Sequence, residues 1–80
     1  MPNLTIEYFA ILREQRGVSR EKLQTDAATP ADLYEVLRAQ HSFTLPRDRV
    51  RAAVNGVFVE SGECLHDGDE VVFIPPVAGG

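Results

Sequence analysis

The sequence contains no tryptophan, one cysteine, two histidines and no apolar run long enough to span a bilayer, and each shortage removes a class of function. Cys64, alone, can close no internal disulfide and anchor no cysteine-based metal site. Its neighbours in "ESGECLHDGDE" are largely acidic, which disfavours a thiolate, so a small half-buried residue is expected there rather than a nucleophile. His41 and His66 are far apart and have no companion at ligand spacing, so no metal site is expected. His41 closes the clearest helical segment, where a positive charge is favourable against the helix dipole. Positive charge is also scarce. Eight Lys and Arg are interleaved with twelve Asp and Glu for a net charge of −4, with no basic stripe to displace counterions from phosphates, and nucleic acid is not an expected partner. The first residues lack the basic-then-apolar pattern of a signal peptide, so the expectation is a cytoplasmic protein with no membrane partner.

What is present is a foldable 80-residue sequence, 44% hydrophobic and 25% charged, of a size that makes one small domain and leaves little room for a deep enclosed active site. "NLTIEYF" (3–9) alternates Leu4, Ile6 and Tyr8 against Thr5, Glu7 and Phe9, the period of a strand. "AILREQRG" (10–17) breaks that period and predicts a turn or two of helix ended by Gly17. "VSREKLQTD" (18–26) is β-compatible but polar, which suits an edge strand. "TPADLYEVLRAQHSF" (29–43) is the best helix, with Thr29 as cap, Pro30 in the first turn, Asp32 near the positive end of the dipole, and Leu33, Val36, Leu37 and Phe43 as its apolar stripe. "VRAAV", "NG" and "VFV" (50–59) signal a hairpin, because Asn-Gly tolerates the two positive φ angles of a type I′ turn. "DGDEVVFIP" (67–75) reads as a turn and a final strand. One helix with one apolar stripe needs a sheet to cover, so the expected class is α+β: a mixed sheet packed against one main helix.

Alternation then divides the sheet. Leu4, Ile6, Tyr8, Val54, Val57, Val59, Val71 and Phe73 form the expected helix-facing set, and Phe9, Phe58 and Ile74 point the other way. Phe58 should face only Ala53 across the hairpin, so this aromatic is left for a partner. The chain then finishes "FIPPVAGG": Pro75 and Pro76 cannot donate to a sheet ladder, and Gly79 and Gly80 have no side chain, so residues 76–80 are expected to form an extended tail beyond a domain of residues 1–75.

"FAILRE" (9–14), "AVNGVFV" (53–59) and above all "LHDGDEVVFIPPVAGG" (65–80) resemble the molybdopterin synthase small subunits, ubiquitin-like sulfur carriers of β-grasp fold, over the whole chain. The resemblance implies a chemistry at Gly80. Its carboxylate is adenylated by a ubiquitin-activating-like enzyme that uses ATP, then converted to a thiocarboxylate with sulfur from a donor protein. Pro75, Pro76, Val77, Ala78 and Gly79 would thread into the large synthase subunit, where the sulfur passes to cyclic pyranopterin monophosphate. Phe9, Arg13, Phe58 and Ile74 would form the partner face of a heterotetramer, and Asp67, Asp69 and Glu70 could steer a basic partner. No tightly bound cofactor and no catalysis by the isolated chain are implied. Ile74 stands where the family often has an aromatic, and Ala78 replaces a common polar residue. Related carriers for cysteine or thiamine-thiazole synthesis, and ubiquitin-like protein modifiers, share the fold and the glycine pair.

Overall fold

A computed structural model of the chain describes residues 2–60 and 62–76. Five strands and two helices follow in the order β1 (Asn3–Tyr8), α1 (Ile11–Arg16), β2 (Arg20–Gln24), α2 (Pro30–His41), β3 (Arg51–Val54), β4 (Val57–Val59) and β5 (Glu70–Ile74). A single turn of 3-10 helix at Arg47–Arg49, which no local signal in the sequence predicts, leads into β3. The strands form one mixed sheet in the order β2-β1-β5-β3-β4. β1 and β5 run parallel, and every other pair is antiparallel. The polar strand β2 is an edge, as its charges predict.

Local chemistry explains most of the boundaries. The Thr29 hydroxyl accepts the Asp32 amide at 3.2 Å and Pro30 occupies the first turn, so α2 starts where its capping signal stands. Asn55 and Gly56 have φ of 52° and 86°, the pair of positive values that a two-residue hairpin needs. Gly17 ends α1 with φ 91°.

Leu4, Ile6 and Tyr8 of β1, Val71 and Phe73 of β5, and Leu33, Tyr34 and Leu37 of α2 make a continuous core between helix and sheet. Tyr34 stacks near Phe43 and tilts onto Phe73 at a centroid distance of 5.4 Å, while its hydroxyl donates to Leu45 O at 2.7 Å. Two expected core positions are corrected. Val36 is 40% exposed, because Pro30, Leu33, Tyr34 and Leu37 set the buried stripe and residue 36 lies about 110° from its centre. Val57 is 64% exposed although it lies on the helix-facing side. Cover fades toward the edge: along one rung, Val71 is fully buried, Val54 half-buried and Val57 exposed. Val59 is only half-buried for the same reason. Cys64 is exposed, not half-buried. In its loop it is Leu65 that turns inward, held by its amide bond to Ala28 O at 2.8 Å.

Candidate functional site

The parallel pairing of the first and last strands determines where function can reside. Tyr8 lies beside Phe73, and Arg51 lies beside Ile74, so β1, β3 and β5 meet at the end of the sheet where Pro75 and Pro76 follow β5. Pro75 is buried and Pro76 exposed, so Pro75 packs with the domain rather than standing in a free stalk. Val77, Ala78, Gly79 and Gly80 lie outside the described residues.

The face turned away from α2 carries two of the three apolar residues that alternation assigned to it, Phe58 and Ile74. Phe58 is 53% exposed and stands opposite Ala53, and Ile74 is half-buried. Phe9, 43% exposed, follows β1 at the same end. Phe9 O accepts the Leu12 amide at 3.1 Å across a tight turn whose next residue, Ala10, has φ 53° and ψ −126°, a conformation suited to glycine. Arg13 is exposed on α1 and makes no ion pair among the described residues.

A polar network anchors α1 on the helix-facing side of the sheet, at its β2 edge. Arg16 forks onto Glu21 of β2 with bonds of 2.9 and 2.7 Å, and Tyr8 donates its hydroxyl to the same carboxylate at 2.5 Å. Burial, then the bond to Glu21, pushes the Tyr8 phenol well above its ordinary value. The Arg16 bonds hold the Glu21 carboxyl below 4.5, with the Tyr8 bond adding to the effect. His41 departs from the expectation of a favoured cation at the helix end. Desolvation, with nearby Arg16, lowers its pKa below 6.5.

The acidic turn is committed to structure. Asp67 accepts the Asn3 amide at 2.7 Å, and Asp69 accepts the His66 amide at 2.8 Å and the Asn55 side-chain amide at 3.0 Å. Glu70 pairs with Arg20 at 3.4 Å. The Asn55 contacts fix the Asn55–Gly56 hairpin to the turn before β5. A cleft of about 320 Å³ between α2, the 3-10 turn and β3–β4 is lined by Pro30, Tyr34, Arg47, Asp48 and Glu60. Among the described residues no group of three or more His, Cys, Asp or Glu is placed to hold a metal ion.

Sequence reasoning does not single out Arg51, whose guanidinium lies 4.3 Å from the centre of the Phe58 ring. A signal for it exists: Phe58 pairs with Ala53, and two residues before Ala53 on the same strand face stands Arg51. The Tyr8–Glu21–Arg16 network is likewise invisible in the sequence, because only the fold brings its three elements together.

Comparison with known proteins fits this arrangement. Residues 6–80 match the ThiS family. The molybdopterin synthase sulfur carrier subunit of Escherichia coli is 35% identical over 80 residues, covering 96% of this chain and 99% of that protein. Among solved structures, the Haloferax volcanii HVO 2177 protein superposes with a TM-score of 0.81 at 32% identity, covering 99% of this chain and 87% of that one. Small archaeal modifier protein 1 of the same organism gives 0.79 at 25% identity, over 96% of this chain and 100% of that one. The mixed sheet on one main helix is the ubiquitin-like β-grasp, and the chain belongs to the ThiS family, similar along nearly its whole length to the sulfur carrier subunits of molybdopterin synthase.

Proposed function

We propose that this chain is the sulfur-carrier subunit of a molybdopterin synthase and that its C-terminal Gly80 carries the sulfur. The observation that supports the reading most directly is that the family match runs through residue 80, so the likeness includes the Pro-Pro to Gly-Gly end as well as the fold. A carboxylate is a poor electrophile, since it is anionic and its oxygen is a bad leaving group. On an activating enzyme, the Gly80 carboxylate attacks the α-phosphorus of ATP and releases pyrophosphate. The terminal sulfur of a donor protein's persulfide then displaces AMP to give an acyl disulfide, and a second thiol cleaves its S–S bond, forming a disulfide with the donor sulfur and releasing the thiocarboxylate. Its sulfur is a good nucleophile, and tethering it to a folded carrier raises its effective concentration at the acceptor, cyclic pyranopterin monophosphate.

The remaining catalytic groups belong to the large synthase subunit, with which the carrier forms a cytoplasmic heterotetramer. Phe9, Arg13, Phe58 and Ile74 meet that subunit, and Pro76 to Gly79 lead Gly80 into its pocket. The single methyl of Ala78 and the absence of any side chain at Gly79 and Gly80 suit a narrow channel.

The test is the intact mass of the protein purified from its own cells with thiols protected, with fragmentation of the C-terminal peptide. Replacement of one oxygen by sulfur at Gly80, a gain of about 16 Da, is the expected result. Gly80 joined to lysines of other proteins, with no thiocarboxylate, would replace this reading with that of a protein modifier. Deletion of Gly80 is expected to abolish sulfur transfer to cyclic pyranopterin monophosphate and to leave Tm unchanged, since every buried hydrophobic residue of the described core lies between Leu4 and Phe73.

A further inference from the structure

The open sheet face is charged in a way that the whole chain is not. Register places Asn3, Thr5 and Glu7 of β1 on it, with Arg20 and Lys22 of β2, Glu70, Val72 and Ile74 of β5, Arg51 and Ala53 of β3, and Phe58 of β4. That face therefore holds three cations against two carboxylates, although the chain has a net charge of −4. The charges are also sorted. Arg20 and Glu70 neutralise one another at 3.4 Å on the β2 side. At the other end, among Ile74, Ala53 and Phe58, Arg51 is the one charged strand residue, and among the described residues no carboxylate lies within 4.0 Å of it. Its guanidinium rests on the Phe58 ring instead.

We infer that Arg51 and Phe58 act as one recognition element: the large synthase subunit presents a carboxylate to Arg51 beside an apolar pocket for Phe58. This rests on the reading of the open face as the docking face. A guanidinium stacked on an aromatic ring keeps its N–H groups free in the plane, so it can receive a carboxylate bidentately while the ring beneath stays in apolar contact. Stacking also narrows the rotamers of Arg51 before docking, which reduces the ordering cost. An arginine left unpaired at the centre of an apolar interface would carry a desolvation penalty, so a partner that covers Phe58 must also satisfy Arg51. The acidic surface elsewhere on this chain repels an acidic partner, which leaves the open face as the orientation that such a partner can accept.

The experiment measures binding of the full-length carrier to the purified large subunit of the same organism at low and high salt, with folding checked by circular dichroism. Arg51→Glu is expected to weaken binding about 100-fold or more, and Arg51→Leu about tenfold with a flatter salt dependence. Arg51→Lys, which keeps the charge and loses the planar fork, should fall between parent and Arg51→Leu, and it supplies the test if the reversal variant does not fold. Phe58→Asp separates the two readings. If Phe58→Asp abolishes binding while Arg51→Glu and Arg51→Leu bind within twofold of the parent, the Arg51 inference is overturned and the docking face stands. If Phe58→Asp folds and binds like the parent, the docking face itself is wrong. Concentration-dependent dimerisation of the carrier that Arg51→Glu removes would identify the occupant as a second copy and also overturn the inference.

Discussion

The two faces of the sheet are made from the same strands by the same alternation, yet they end in different states. On the helix side Leu4, Ile6, Tyr8, Val71 and Phe73 are buried almost completely. On the open side Phe58 keeps about half of its surface in water, and Arg51 covers one ring face without sealing it. Apolar surface on the first face is consumed by folding. On the second it contributes little to the fold and stays available for association.

The sharpest way to break that contrast is to truncate one phenylalanine on each face. Phe73→Ala is expected to cost about 3–5 kcal/mol, a large share of what a domain of this size has, and to lower Tm steeply in calorimetry. Phe58→Ala should change stability by about 0.5 kcal/mol or less. Equal losses would show that the open face is part of the core.

A smaller effect tests the edge where the faces meet. Glu21 has a folded-state pKa below 4.5, so its contribution is present above that value and fades as pH falls through the folded-state pKa, because the unfolded chain takes up the proton first. His41, also lowered, acts with the same sign just below its ordinary 6.5. Tm should therefore decline on acidification. Glu21→Gln should remove the lower-pH part of that slope, and His41→Gln the part nearer neutrality. An unchanged profile in Glu21→Gln would mean that the network does not stabilise the fold.

The smallest effect concerns the turn that sets Phe9. Ala10 holds φ 53°, so Ala10→Gly should stabilise the protein by about 1 kcal/mol and raise Tm by about 4 °C. A loss of stability would show that the methyl group contributes more by contact than the backbone loses by strain.

Much of this architecture is legible in the sequence. The alternation of β1 and β5, the Thr29 cap and the Asn55–Gly56 turn each follow from a local rule, and each element stands where its rule puts it. The open-face positions of Phe58 and Ile74 follow from alternation plus one helix to cover one side. The misses share a cause. Val36, Val57 and Cys64 sit in segments whose pattern is right, but their exposure is tertiary: the stripe of α2 that meets the sheet leaves Val36 out, and the cover given by α2 and Leu65 ends before Val57 and Cys64. That Asn3 and Asn55 arrive from other elements to bond Asp67 and Asp69 is likewise absent from any local pattern.

The sequence by itself determined the elements, their order, the sidedness of each strand and the uncharged glycine end, because those depend on residues within a few positions of one another. Tertiary structure alone decided that β1 lies parallel to β5, which brings Phe9, Ile74 and Arg51 to the end where Pro75 and Pro76 follow β5. It also decided that Arg51 rests on Phe58 and that Glu21 collects Arg16 and Tyr8. Such contacts join residues from different elements, and local backbone preference carries no information about which distant side chain will arrive.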